Sequence, residues 1–150
     1  MVDHHGSDGP LHAAAVDDAA PALLAVWDAA RERVASRLSW PQLNTLLAIE
    51  RQEGVNLRGL ADELDAMLSS VSRLCDRLEA SGMIERAPGQ ADRREIALFL
   101  TPSSRRLLND LRRTRRELLT ETMNRMDSSS LTALIRGLTD FKTAAAQIRP

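Results

Sequence analysis

Along the chain the apolar positions change period several times, and each change marks an element. From Asp17-Asp18, with Pro21 near the first turn, Leu23, Leu24, Trp27, Val34 and Leu38 follow helical spacing and predict a first helix ending at Leu38. Ser39 then reads as an N-cap and Pro41 is tolerated in a first turn, while Leu43, Leu46 and Leu47 lead to Gly54. A second helix is expected over residues 40–53. After a short extended VNL piece, Leu57, Leu60, Ala61 and Leu64 recur at i, i+3, i+4 and i+7; Val71, Leu74, Cys75 and Leu78 repeat the pattern before Gly82. Only Asp65-Ala66-Met67-Leu68 separates the two, short enough to force the sharp angle of a helix-turn-helix. In EIALFL the period drops to two, Ile96, Leu98 and Leu100 alternating with Ala97 and Phe99. With MIER before it and the turn-forming APGQADRR between, this predicts a hairpin. Thr101-Pro102 starts a long helix and Asp127-Ser128 a final one, so the order is ααααββαα.

A helix-turn-helix followed at once by a two-stranded hairpin is a winged helix. The expected fold is therefore mainly α: a winged helix-turn-helix lobe over residues 39–101, flanked by dimerisation helices over 13–38 and 102–150, all one integrated domain after a flexible tail, 1–12. The tail holds all three histidines, His4, His5 and His12, with no second ligand cluster at zinc or nickel spacing, so no metal is expected. The flanking helices carry apolar residues, among them Leu134, Leu138 and Phe141, that a lone small lobe cannot bury. A second copy is the natural cover, and a twofold dimer would set its two reading helices about 34–36 Å apart, predicting an inverted-repeat site.

Composition narrows the classes. At 150 residues, 43% hydrophobic and 27% charged, the chain suits one domain and excludes a large multidomain enzyme. Four aromatics, Trp27, Trp40, Phe99 and Phe141, give no repeated stacking platform for single-stranded nucleic acid. No apolar run approaches the ~20 residues that span a bilayer, so no membrane partner is expected. One cysteine, Cys75, closes no intramolecular disulfide, and no secretory leader opens the sequence; a cytoplasmic protein is expected. No Gly-rich phosphate loop, metal-ligand set or Ser/His/Asp arrangement points to an enzyme or a cofactor. The net charge of −1 argues against nucleic acid until it is divided along the chain: residues 68–116 hold 11 basic and 6 acidic side chains, residues 1–67 hold 5 and 11. The positive stretch is the predicted reading helix and wing.

On the helix that carries Val71, Leu74, Cys75 and Leu78, the opposite face presents Ser69, Ser70, Ser72, Arg73 and Arg77. Hydroxyls donate to phosphates or base edges, and Arg forks onto guanine or anchors a phosphate, so this face fits a DNA major groove. A solvated helix face has the same composition. Arg93 and Arg94 follow Asp92 on the wing, where an arginine can enter the adjacent minor groove.

Residues 38–110 resemble the MarR family of bacterial transcriptional regulators. The resemblance rests on Leu38 and Gln42, on Leu60-Ala61-x-x-Leu64, on the S-x-x-R-L-x-D-R-L string ending at Leu78, on Gly82, on the Asp-x-Arg wing and on Leu100-Thr101. It implies a homodimeric winged-helix repressor or activator that binds double-stranded DNA, with its dimer interface in the terminal helices and often a small-molecule pocket between interface and lobe. Carried over by position, Ser69, Ser70, Ser72, Arg73 and Arg77 match the recognition helix, Arg94 the minor-groove arginine, and Asp92 its orienting partner.

The sequence departs from the family where a Gly, an apolar residue and a Ser or Thr cap are common: here stand Asp65-Ala66-Met67. Asp65 is then a candidate substitute cap, and Leu68, where relatives are often polar, a candidate thymine-methyl contact; weakened or altered base readout is the other reading. Trp27, Arg31, Val34 and Trp40 are candidates to line a pocket for a small aromatic or amphipathic effector, though amphipathic packing explains the same residues. Cys75, on the apolar stripe, is expected to act as a buried hydrophobe more than as a redox sensor. The alternative to DNA binding is a winged helix that binds another protein, for which Leu68 and the acidic first 67 residues are the motivating features.

Overall fold

The computed structural model describes residues 9–89 and 94–148. Helices α1 (Gly9–Ala35) and α2 (Trp40–Arg51) lead to strand β1 (Val55–Asn56). Helices α3 (Leu57–Glu63) and α4 (Leu68–Ala80) follow, then strands β2 (Ile84–Pro88) and β3 (Ile96–Leu100), and finally α5 (Pro102–Met123) and α6 (Ser128–Ala146). The fold is the mainly helical winged helix-turn-helix that the periodicity predicts, with two differences in the elements.

The first is a third strand. β1 pairs antiparallel with β3, Val55 opposite Leu98 and Asn56 opposite Ala97, so the wing is a three-stranded sheet in the order β1-β3-β2. Two residues are too few to show alternation, and VNL carries no strand signal beyond its valine. Gly54 turns the chain into this strand with φ at 83° and its N–H 3.0 Å from the Leu98 carbonyl. A Cβ there would meet the Phe99 ring at 3.5 Å, in a left-handed conformation that L side chains rarely adopt.

The second difference is the reach of α1. It starts at Gly9, so residues 9–12 of the expected tail are helical, and it stops at Ala35, before Leu38. The early turns are exposed and alanine-rich, held by propensity and not by an apolar stripe, which is why periodicity begins only later. Pro21 consequently lies inside the helix instead of near its first turn.

The core sits under the lobe. Leu43, Leu46 and Ile49 of α2 pack with Leu60 of α3, Leu78 of α4 and Leu98 of β3, all fully buried, and Leu108 and Leu111 bring α5 into the same cluster. The start of α2 has the full capping box: the Ser39 side chain accepts from the Gln42 N–H, and Gln42 Oε1 accepts from the Ser39 N–H at 2.9 Å. α1 lies along α5. α6 has no buried residue.

Candidate nucleic-acid interface

The turn between α3 and α4 sets the exposed helix. Asp65 takes a left-handed conformation with φ at 47°, and the Ala66 N–H closes on the Ala61 carbonyl at 3.0 Å. Asp65 therefore does not cap α4. It occupies the place where glycine is the least strained residue, and the N-cap is Met67, whose side chain makes no cap hydrogen bond. Leu68, placed in the connecting turn by the sequence pattern, is the first residue of α4.

Within α4, Val71, Cys75 and Leu78 are buried against the core, which turns the opposite face outward. Leu68, Ser69, Ser70, Arg73 and Arg77 are exposed and Ser72 is half-buried. No acidic residue lies in the first turn. Further along, Asp76 and Glu79 are both engaged by Arg86 of β2, at 2.7 and 2.5 Å. The wing thus offsets one of the two negative charges that these acids bring to the helix.

The wing narrows at Gly89, whose N–H meets the Glu95 carbonyl at 2.8 Å. Arg94 is exposed just beyond, whereas Asp92 and Arg93 lie outside the described residues. Arg94 opens onto the same hollow as Leu68, Ser69 and Ser72, a space of about 930 Å3 between the root of the wing and the start of α4. Arg73 and Arg77 sit on α4 away from it. Periodicity missed two side chains in this hollow: Arg58, readable only as one basic residue on α3, and Ile96, assigned by alternation to the inner face of β3 yet 55% exposed.

Cys75 is fully buried at the base of this helix, and burial pushes its thiol up to about 11, with Arg86 opposing and Asp76 and Glu79 adding to the shift. A protonated, enclosed thiol is a poor nucleophile.

A second, smaller hollow of about 240 Å3 lies between α1, α2 and α5. Trp27, Arg31 and Trp40 line it together with Leu24, Leu111 and Arg115; Val34 is not among its lining residues and packs against the core instead. The Arg115 guanidinium stands 4.9 Å from the centre of the Trp27 ring, and its buried Nε has no hydrogen-bond partner among the described residues. Desolvation, with Arg112 nearby, lowers its basicity. In the sequence Arg115 falls on the apolar stripe of α5, four residues after Leu111 and three before Leu118, which sets it apart from Arg112, Arg113 and Arg116.

Among the described residues no helix is long and apolar enough to cross a membrane. Comparison with known proteins agrees with the architecture. The HTH-type transcriptional regulator YfiV of Bacillus subtilis is 30% identical over 74 residues, a stretch that covers 49% of this chain. The matched stretch spans about half of that relative's length, 46%. The crystal structure of RV1404 from Mycobacterium tuberculosis superposes with a TM-score of 0.84 at 26% identity, covering 96% of this chain and 97% of that one. FabT of Streptococcus pneumoniae, solved in complex with DNA, is similar in fold at a TM-score of 0.68 and 20% identity, covering 94% of this chain and 99% of that one. Residues 38–96, from the last turn before α2 to the start of β3, match the model of the MarR family. With the helix-turn-helix, the wing and the flanking helices all in place, the chain is similar in sequence over residues 38–96 and in overall fold to the helix-turn-helix transcriptional regulators of the MarR family.

Proposed function

We propose that the chain is a dimeric, sequence-specific regulator that binds double-stranded DNA and acts as a ligand-responsive repressor on an inverted-repeat operator. The observation that carries this reading is the outward face of α4: exposed Ser69, Ser70, Arg73 and Arg77, no acid in the first turn, and Arg94 opening on the same hollow as Ser69 and Ser72. In this reading α4 enters the major groove, its hydroxyls and arginines meeting phosphates and base edges. Arg94 enters the minor groove, with Arg93 beside it and Asp92 orienting it. The DNA complex of FabT, a protein of similar fold, supports nucleic acid as the partner.

Dimerisation is supported by what the single chain leaves uncovered. Leu11, Val16 and Leu24 on α1 and Leu134, Ile135, Leu138 and Phe141 on α6 are exposed, and those on α6 recur at helical spacing as an uncovered apolar stripe. The effector we assign to the smaller hollow is a small aromatic or amphipathic molecule: Trp27 and Trp40 offer faces, Arg31 and Arg115 offer positive charge beside the carboxylate of Asp28, and the volume suits a one-ring ligand. Such a ligand releases the operator only if it binds one spacing of the two lobes more tightly than the other.

The test is binding of the purified protein to the intergenic DNA upstream of its own gene, as a function of salt. A slope near −0.9 per phosphate neutralised is expected, and Arg94→Ala weakens binding by about 1–3 kcal/mol. Unchanged affinity in that variant removes the wing assignment, and absence of any specific complex removes the reading as a whole. Titration of the complex with simple aromatic acids, compared with Arg115→Ala, tests the effector.

A further inference from the structure

The hollow between the wing and α4 is lined by two kinds of side chain. Arg58 and Arg94 bring positive charge, while Leu57, Met67, Leu68 and Ile96 bring apolar surface. Met67 is 75% exposed and Leu68 46%, and neither belongs to the core cluster. Apolar side chains scattered singly over a surface need no explanation. These four come from α3, the turn before α4, α4 itself and β3, and they meet in one place, which is the mark of a contact surface.

The chemistry of position 67 points the same way. An N-cap is where Ser, Thr, Asp or Asn would hold the first free N–H groups of the helix, and Met67 does not. Folding gains nothing from a thioether there. Among the described residues lining the hollow, two arginines, Arg58 and Arg94, stand against one acid, Glu95, so its charge is on balance positive. An occupant matched to it carries both negative charge and apolar groups. A DNA major groove has both: phosphates border it, and the thymine C5-methyl is the apolar group displayed on its base edges.

We infer that Met67 and Leu68, backed by Leu57 and Ile96, read thymine C5-methyl groups in the operator and so set sequence preference at the leading tip of α4. The inference rests on the DNA-binding reading given above and adds what that reading leaves open, namely which base feature an apolar tip selects.

The experiment uses the full-length protein and a duplex obtained by in-vitro selection, with each thymine replaced singly by deoxyuridine, which removes the methyl and keeps the base pair. Losing a contacted methyl costs about fourfold in affinity, and a symmetry-related pair about fifteenfold. At those positions Leu68→Ala and Met67→Thr bind thymine and deoxyuridine duplexes alike, while the other positions keep the wild-type response. Met67→Thr supplies the missing cap, so its loss of discrimination cannot be ascribed to a weakened helix. Deoxyuridine substitution without effect at every position, on a duplex that is bound tightly, overturns the inference and leaves the regulator reading standing. Discrimination that persists in both variants also overturns it. Failure to select any duplex removes both.

Discussion

Arg86 of β2 reaches across to Asp76 of α4 with Nη2 at 2.7 Å. Its other terminal nitrogen takes Glu79 one turn further on, at 2.5 Å. One guanidinium thus joins the wing to two turns of the exposed helix and offsets one of the two negative charges that Asp76 and Glu79 bring to it. The Asp76 hydrogen bond is the largest reason the Arg86 guanidinium is held still more firmly protonated than usual.

Arg86→Ala is expected to cost about 1 kcal/mol in chemical denaturation, the scale of exposed ion pairs held in a good fork. It is also expected to weaken DNA binding by more than its stability cost implies, because Asp76 and Glu79 are then left uncompensated. Arg86→Lys restores one pairing at a time and falls between. Equal affinity of wild type and Arg86→Ala at low salt would remove the electrostatic part of this account.

The start of α4 is built below its attainable stability. Met67→Thr introduces a side-chain acceptor for the first turn and is expected to stabilise the fold by about 1 kcal/mol. Asp65, at a φ of 47°, is tolerated there better than most residues, so Asp65→Ala should lose about 1 kcal/mol whereas Asp65→Gly should not. Thermal unfolding of the three variants checks both statements.

Cys75 should be silent in the native protein. With its thiol raised by burial from 9.0 to about 11, a disulfide reagent at pH 8 is expected to react with it only as fast as the lobe unfolds, and readily in denaturant. The folded state holds this proton more tightly than the unfolded chain does. The associated stability is complete below pH 9 and is lost as pH rises towards 11. A Cys75→Ala variant should lack that alkaline decline. Fast labelling at pH 8 in native conditions would contradict the buried placement.

Phe141→Asp or Leu138→Asp is expected to turn a dimer into monomers in sedimentation equilibrium and to abolish tight operator binding, while far-ultraviolet circular dichroism keeps its helical shape for α1–α5. The same helix has an acid-sensitive start. The Asp127 carboxylate accepts from the Ser129 hydroxyl and from the Ser129 and Ser130 N–H groups, which hold it well below the ordinary value of 3.8. Its contribution is present above that value and is lost as pH falls below it. Asp127→Asn should flatten that part of the acid limb.

Much of this was legible before any coordinates. Ser39, Pro41, Thr101, Pro102 and Asp127 mark helix starts by side-chain chemistry that acts within three residues, and the stripe of Val71, Cys75 and Leu78 fixes which face of α4 is outward. What escaped depends on distant partners. β1 exists because Leu98 and Ala97 lie opposite it, and Ile96 is exposed because the wing root opens where strict alternation would bury it. Asp65 looks like a cap by residue type and is a turn residue by conformation. Arg115 falls on the apolar stripe of α5 between Leu111 and Leu118, but the Trp27 ring beside it comes from a helix far away in the sequence.

Thr101 ends β3 and begins α5 in the same residue. Its N–H meets the Met83 carbonyl at 3.2 Å, its hydroxyl donates to the Gly82 carbonyl at 2.8 Å, and the same oxygen caps Ser104. About one turn beyond the cap Glu53 takes Arg105 at 2.7 Å, and about three turns beyond it Glu50 of α2 takes Arg112. These contacts tie the first half of α5 to α2 and to the turn that follows α4. A shift of α5 is therefore handed to the lobe at three points, the turn after α4, Glu50 and Glu53.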